Sequence, residues 1–168
     1  MIPELDPMMS ARIAKDPQAA SRPIRAIDEI VNYVRRQLYA DHAGITLIRG
    51  RKLATVASTD GLVAWADVLQ YELGDGPCRD RSWEGQTLLA SDLTTEARWP
   101  RWAPRITALG IGSVLAAELT GKHGRRRGSI NVYWNQRRTF TADDIALVNF
   151  FARRATIALA GSVDNAGH

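Results

Sequence analysis

The residue of this chain best suited to covalent chemistry is its one cysteine, Cys78. It follows Gly74, Gly76 and Pro77, which end a helical pattern and force a tight turn. A thiol beside a helix N-terminus can have a lowered pKa and react as a thiolate. One thiol cannot complete attack and resolution, so a redox enzyme would need a second thiol from thioredoxin or from another subunit. The alternative is a small buried side chain that packs the turn.

Aromatic residues concentrate around this turn, which we call the elbow (residues 74–78). Four of the five tryptophans fall in the middle of the chain: Trp65, Trp83, Trp99 and Trp102. Three of them, Trp65, Trp99 and Trp102, could line a pocket for a planar or cationic ligand together with Tyr71, or these residues could anchor the core and the loops. The candidate ligand-binding residues are Trp65, Tyr71, Cys78, Trp99, Trp102, Ser113, Asn131 and Tyr133.

One strand-like run, Ser-Ile-Asn-Val-Tyr at residues 129–133, supplies polar candidates. Alternation along a strand places Asn131 and Tyr133 on one face and the apolar residues between them on the other. With Ser113 and Thr46 from other strands, they are expected to face the pocket. The alternative is that these groups satisfy one another by hydrogen bonds within the core.

Arginine residues near the tryptophan pair are candidates for meeting an anionic ligand. They are Arg98, Arg101 and Arg105. Arginine suits this task because its guanidinium binds carboxylate and phosphate groups through two hydrogen bonds. Arg98 and Arg101 also suit ion pairs with Asp75 or Asp92.

Other chemical motifs are not readable. The three histidines, His42, His123 and His168, have no spacing that builds a metal site, and we predict a structural role for His42. No phosphate loop, dinucleotide fingerprint or Ser-His-Asp set occurs, so the sequence names no cofactor. The basic turn at residues 122–127 could attract phosphate, but without interleaved aromatic residues we expect it to be solvated.

Periodicity predicts the elements that must position these residues. Hairpin-linked strands between amphipathic helices indicate an α+β domain with a mainly antiparallel sheet. Thr141 is the expected N-cap of the last helix. Helices are predicted at residues 23–38, 62–73, 100–109 and 142–161, and strands at 44–49, 53–58, 87–91, 113–119 and 129–134.

Composition sets the remaining limits. A chain of 168 residues, 45% hydrophobic and 24% charged, suits one globular domain. We expect a flexible arm at residues 1–21, the domain at 22–162 and a disordered tail at 163–168. The single cysteine excludes an internal disulfide. No signal peptide or membrane-length apolar run is readable, so the expected location is the cytoplasm.

Several of these segments resemble the GAF domain, and in particular the GAF half of bacterial GAF–ANTAR regulators. The resemblance rests on residues 41–47, 67–78, 98–102 and 129–133, and covers roughly residues 24–160. It implies a central antiparallel sheet of five or six strands. The terminal helices would cover one face of the sheet, and a pocket lined by helices and loops would lie on the other.

The resemblance implies a non-enzymatic sensory or regulatory module that binds a small ligand or a protein partner and signals through a homodimer. An ANTAR domain would bind RNA, but the chain stops at His168. A nucleic-acid partner is therefore not expected, and the chain is either a sensor with a separate output protein or a fragment. The alternatives are a redox-active GAF protein that uses Cys78 on a sulfoxide or peroxide, and an interaction module without a ligand. The residues expected in the dimer interface are Ile27, Val31, Val34, Val148, Phe151 and Ala155.

Overall fold

The computed structural model describes residues 21–80 and 87–163. The predicted arm, apart from residue 21, lies outside the described residues, as do Trp83 and residues 164–168. The helices are α1 (Ser21–Gln37), α2 (Gly61–Leu73), α3 (Trp102–Ala108) and α4 (Ala142–Val163). The strands are β1 (His42–Arg49), β2 (Lys52–Ser58), β3 (Thr87–Ala90), β4 (Ser113–Thr120) and β5 (Arg126–Trp134). Short 3-10 turns cover Pro77–Arg79, Leu93–Thr95 and Lys122–Gly124.

The five strands of the described residues form one antiparallel sheet in the order β2-β1-β5-β4-β3. The central strand, β5, pairs with both β1 and β4, so Asn131 lies opposite Gly44 on one side and Ala116 on the other. The α+β fold class predicted from the sequence is confirmed. The sheet also fixes which side chains share a face, because paired residues point the same way.

Each face of the sheet carries its own core. The helix face, covered by α1 and α4, buries Ile45, Ile130 and Val132. The elbow face, covered by α2, α3 and the elbow, buries Trp99 and Tyr133. The prediction that the terminal helices lie on one face is confirmed.

The apolar stripes of the terminal helices pack against the protomer's own sheet. The six residues expected in a dimer interface are therefore in the core, and none is more than 7% exposed: Ile27, Val31, Val34, Val148, Phe151 and Ala155. That assignment is wrong, because helical periodicity marks the buried side of a helix without saying what buries it. A dimer would have to use other residues of these helices.

Capping bonds and glycine turns set the ends of several helices and strands. Thr141 and Asp144 form a capping box, in which each backbone N–H donates to the other side chain, at 3.1 and 3.0 Å. Gly74 ends α2 in the left-handed region at φ 62°, as the glycine pattern predicts. β5 begins three residues earlier than predicted, at Arg126, because Gly121 N–H bonds Arg125 O and closes a shorter loop.

Among the described helices, none is long and apolar enough to cross a membrane.

Candidate functional site

A cluster of buried polar side chains lies on the elbow face between the sheet, α2 and the elbow. We call it the polar cluster. None of its members is more than 4% exposed: Thr46, Asp67, Gln70, Cys78, Ser129 and Asn131. Groups of this kind are stable in a core only when they bond one another.

Asp67 is the charged centre of the polar cluster. Its Oδ2 accepts hydrogen bonds from Thr46 Oγ1 at 2.6 Å and Thr55 Oγ1 at 2.5 Å. Burial raises the pKa of Asp67 to about 6, against the opposing effect of the two hydroxyls. The carboxyl therefore changes charge close to neutral pH inside the core.

Sequence reasoning did not assign Asp67 a role. One signal was present, because Asp67 adjoins Ala66 and lies two residues before Leu69, both in the core on the buried side of α2. An acidic residue on the buried side of a helix is unusual unless it is paired. Its partners come from β1 and β2, and the sequence does not show that contact.

Cys78 is a buried packing residue. Its backbone N–H donates to Gln70 Oε1 at 2.7 Å, and its Sγ lies 3.3 Å from Ser129 Oγ. Burial, together with the negative charge of Asp67, raises the pKa of the Cys78 thiol to about 12. The thiol is therefore neutral at physiological pH. Of the two interpretations of the elbow cysteine, the small buried side chain is confirmed and the lowered pKa is wrong.

Asn131 links the two sides of the polar cluster. Its Oδ1 accepts from Ser129 Oγ at 2.9 Å and its Nδ2 donates to Thr46 Oγ1 at 3.0 Å. Asn131 and Tyr133 share the elbow face, as alternation predicts. The side-chain bonds of Asn131 lie within the core, as in the alternative considered for this strand.

Tyr133 differs from its neighbours because its hydroxyl is not satisfied. The residue is fully buried, and its Oη has no hydrogen-bond partner among the described residues. Burial, then the negative charge of Asp67 and that of the Cys78 thiolate once it forms at high pH, raises the pKa of Tyr133 well above its ordinary value. A buried hydroxyl without a partner costs about 1–3 kcal/mol. The position of Tyr133 therefore marks a place where a bound group would gain a hydrogen bond.

The prediction that Ser113 faces the same site is wrong. Ser113 pairs with Trp134 in the β4–β5 register, and this places its side chain on the helix face. Its Oγ donates to the backbone carbonyl of Gln136 at 2.8 Å. The buried apolar residues of β4 on the elbow face are Val114 and Ala116.

The two central tryptophans anchor the segment after β3. Trp99 and Trp102 are 1% and 0% exposed and meet edge to face, with ring centroids 5.7 Å apart. Trp99 Nε1 donates to Asp80 Oδ2 at 2.8 Å, and Trp102 Nε1 donates to Ala66 O at 3.0 Å. These contacts match the alternative in which the pair anchors loops.

The other two aromatic candidates lie apart from the polar cluster. Trp65 is partly buried against the apolar core of the elbow face. Tyr71 is 43% exposed on α2, so its ring does not contribute to an enclosed site.

Asp75 ties the elbow to α3. Its Oδ2 accepts from the backbone N–H groups of Arg101 and Trp102, at 2.8 and 2.9 Å. The alternative in which Arg98 forms an ion pair with Asp75 or Asp92 is wrong, because the Arg98 guanidinium pairs with Glu96 at 2.7 Å. That guanidinium also lies 4.6 Å above the centre of the Trp99 ring.

A crevice of about 320 Å³ opens beside the elbow. Its lining residues are Gly74, Asp75, Gly76, Arg79, Asp80, Arg98 and Trp99. Further in, the space between Thr46, Cys78 and Ser129 has no room for a water molecule. The elbow therefore separates this crevice from the polar cluster.

Metal chemistry finds no support in the described ranges, where no group of His, Cys, Asp and Glu could hold an ion. The ring of His42 lies between Asp60 Oδ2, at 2.6 Å, and Asn135 Oδ1, at 3.0 Å. It thereby joins the start of β1 to the N-terminus of α2 and to the end of β5. This agrees with the structural role predicted for His42.

Solved structures with this fold include a domain of a putative sensor kinase, a GAF domain and an enzyme. The chain is 17% identical to a domain of a putative two-component sensor histidine kinase from Sinorhizobium meliloti, with a TM-score of 0.71 over 88% of this chain and 96% of that one. A GAF domain from Synechocystis, solved in its photoproduct state, is 16% identical, with a TM-score of 0.67 over 87% and 99%. A type II free methionine-R-sulfoxide reductase from Thermoplasma acidophilum is 14% identical, with a TM-score of 0.62 over 83% and 93%. Likeness at these identities establishes the fold alone.

The family itself follows from the sequence match. The family model described as GAF domain matches residues 22–160, which is most of the chain, and the protein belongs to this family. GAF domains commonly have sensory or regulatory roles. Comparison with curated proteins finds no match.

Proposed function

We propose that this GAF domain is a non-enzymatic sensory module that binds a small ligand beside the polar cluster and signals through a homodimer. The observation that carries the proposal is the Tyr133 hydroxyl, which is fully buried and has no partner among the described residues. A ligand with a hydrogen-bond acceptor would satisfy it. Because Asp67 becomes negatively charged above about pH 6, a neutral or cationic ligand fits better than an anionic one at neutral pH.

Ligand entry would require the elbow to move. Gln70 bonds the elbow to α2, and Asp75 bonds it to the start of α3. Opening the elbow therefore loosens contacts of both helices that cover this face. A ligand that binds the opened state better than the closed state shifts the population toward it.

The signal would reach the helix face through β5. Asn131 and Tyr133 on the elbow face alternate with Ile130 and Val132, which pack against the terminal helices. A small shift of this central strand changes the packing of both cores, because tightly packed interiors transmit strain.

The dimer would form through an exposed apolar groove between α1 and α4. The groove has a volume of about 750 Å³, and its side chains include Tyr33, Phe150 and Ile157, which are 46%, 44% and 72% exposed. Glu29 and Arg154 also line it. In a two-fold pairing the same patch meets itself, so these unlike charges can lie opposite each other.

The likeness of the elbow and of residues 98–102 to GAF–ANTAR regulators supports a bacterial, cytoplasmic regulator whose output lies in another segment or chain.

Native mass spectrometry, compared with the denatured mass, tests the ligand directly. We expect a dimer with a non-covalent adduct that is reduced in the Tyr133→Phe variant. The matched Tyr33→Phe variant should retain the adduct, because the Tyr33 side chain is half exposed and lies on α1. Absence of the adduct from both the wild type and the Tyr33→Phe variant would count against ligand binding.

A second function is favoured by the packing of the elbow face. Trp65, Leu73, Trp99 and Tyr133 belong to one apolar cluster, as expected for an interaction module without a ligand. Such a module would still form the dimer. The ligand-binding module and the interaction module therefore differ only in whether native mass spectrometry shows a bound ligand. The redox alternative has no such support, since the thiol of Cys78 is buried and neutral.

A further inference from the structure

Two basic turns that are far apart in the sequence lie side by side at one end of the sheet. β1 and β5 are antiparallel, with Leu47 opposite Gly128, so β1 ends where β5 begins. The β1–β2 turn and the β4–β5 loop therefore project from the same end. We call this surface the basic end. Its exposed cationic residues are Arg49, Arg51, Lys52, Lys122, Arg125 and Arg127.

The cations of the basic end are not neutralised within the described part of the chain. The ion pairs of the described residues involve none of these six cations. They are His42–Asp60, Arg98–Glu96, Arg137–Asp92 and Arg138–Asp144. The adjacent part of β4 carries one carboxylate, the half-buried Glu118. The basic end therefore concentrates six cations in a molecule whose net charge is +4.

From this arrangement we propose that the basic end binds the phosphate backbone of a nucleic-acid duplex without reading its sequence. The four strands β2, β1, β5 and β4 span about 14 Å across the sheet, from a strand spacing of about 4.8 Å. Duplex DNA carries one charge per about 1.7 Å of axis, or about eight phosphates over that width. Even if only half of these phosphates face the protein, they could contact several of the six cations.

An acidic peptide is a poorer match to this surface. An extended chain rises about 3.3 Å per residue and alternates its side chains, so about four residues cross the same width. Only about two of their carboxylates would face the cations. The charge density of the partner therefore favours phosphates over a peptide segment.

A membrane surface is also a poorer match. Proteins that lie on bilayers usually insert apolar or aromatic side chains beside their basic residues. The large apolar side chains exposed in the described residues lie elsewhere, on α1, α2, β3 and α4 and in the loops after α1 and α3. The same lack of aromatic residues disfavours single strands, which are bound by stacking.

Fluorescence anisotropy of a labelled 20-base-pair duplex of mixed sequence tests the proposal. For the wild-type protein we expect a dissociation constant between about 1 and 100 µM near physiological salt, as is usual for non-specific binding. The logarithm of the association constant should fall with the logarithm of salt concentration, with a slope between about −3.5 and −5.5 for four to six phosphate contacts. A duplex of unrelated sequence should bind within about twofold.

Two variants of equal charge separate the surface from the net charge. The test variant carries Arg49→Gln, Arg51→Gln, Lys122→Gln and Arg125→Gln. The control carries Arg36→Gln, Arg101→Gln, Arg105→Gln and Arg153→Gln, all at exposed sites away from the basic end. Each changes the net charge from +4 to zero by removing four cations. We expect the test variant to lose at least about tenfold in affinity and the control less than about threefold, since only the former loses phosphate contacts.

Four results would overturn the proposal. They are an absence of wild-type binding at 50 mM salt, equal loss in both variants, binding to phosphatidylserine vesicles without binding to the duplex, and binding to polyglutamate without binding to the duplex. Thermal unfolding of both variants confirms that each is folded. The result does not depend on the ligand or on the dimer, because the basic end lies outside both of those regions.

Discussion

At the scale of single residues, the polar cluster combines satisfied and unsatisfied groups. Asp67 has two hydroxyl donors and an amide beside it, whereas the Tyr133 hydroxyl has no partner in the described structure. A core gains rigidity from a fully bonded polar network and loses stability where one group is unpaired. The contrast between Asp67 and Tyr133 gives two separate predictions.

The first prediction concerns the pH dependence of stability. Burial raises the pKa of Asp67 from 3.8 to about 6, so the folded protein holds this proton more tightly than the unfolded chain. The contribution of Asp67 is therefore most favourable below pH 3.8 and is lost as the pH rises through about 6. The shift corresponds to about 3 kcal/mol.

The Asp67→Asn variant should lack this dependence. The carboxyls of Asp60, Glu96 and Asp144 have lowered pKa values and act in the opposite direction, so the useful quantity is the difference between variant and wild type. In urea unfolding from pH 4 to pH 7.5, we expect that difference to rise by about 2.5 kcal/mol in favour of the variant, since part of the effect is already present at pH 4. The control Asp143→Asn, at an exposed position, should show a nearly constant difference. A constant difference for Asp67→Asn would mean that Asp67 is not buried as described.

The second prediction concerns Tyr133 in protein without ligand. Phenylalanine keeps the ring and removes the unpaired hydroxyl, so Tyr133→Phe should be neutral or stabilising by up to about 1–3 kcal/mol. Tyr33→Phe serves as the control and should change the unfolding free energy by less than about 0.5 kcal/mol. Loss of more than about 1 kcal/mol in Tyr133→Phe would show that the hydroxyl does have a partner, and would remove the main support for a ligand site.

At the scale of elements, the elbow holds α2, α3 and the sheet together through a few backbone-directed bonds. Gly76 has φ 128°, and a Cβ there would come within 2.5–2.9 Å of the Gln70 side chain. Gln70 is the residue that bonds the backbone of Cys78. The conformation of the elbow therefore depends on glycine at this position.

The Gly76→Ala variant should destabilise the protein by about 2–4 kcal/mol, from backbone strain and displacement of Gln70. Gly61→Ala is the matched control, because nothing lies within 4 Å of a Cβ at that position. It should leave the unfolding free energy unchanged or raise it by less than about 1 kcal/mol. Chemical denaturation at one pH measures both. Equal stability of the two variants would show that the elbow is free to rearrange.

Local patterns predicted the elements well because helices, strands and glycine turns depend on neighbouring residues. Contacts between residues far apart in the sequence could not be predicted in the same way. The face of Ser113 depends on its pairing with Trp134, and the role of Asp67 depends on Thr46 and Thr55 on other strands. The same limit applied to the terminal helices, whose periodicity did not distinguish a subunit interface from the protomer's own sheet. Register and tertiary burial decided these cases.

At the scale of the whole molecule, the structure offers three surfaces with different chemistry. The elbow crevice is polar, the groove between α1 and α4 is apolar, and the basic end is cationic. β5 connects the basic end with the cores beneath the other two surfaces, since it begins at the basic end and contributes residues to the cores of both faces. A change at one surface can therefore be coupled to the others through one strand.

The last prediction tests the dimer through the exposed residues of the groove. Phe150 and Ile157 are 44% and 72% exposed on α4, so aspartate at both positions should leave the fold intact and prevent an apolar contact between copies. By light scattering at tens of micromolar, we expect a dimer for the wild type and a monomer for Phe150→Asp with Ile157→Asp. Val68→Asp, at a position 40% exposed on α2, should remain dimeric. A monomeric wild type would refute the dimer, and a dimeric double variant would place the interface elsewhere.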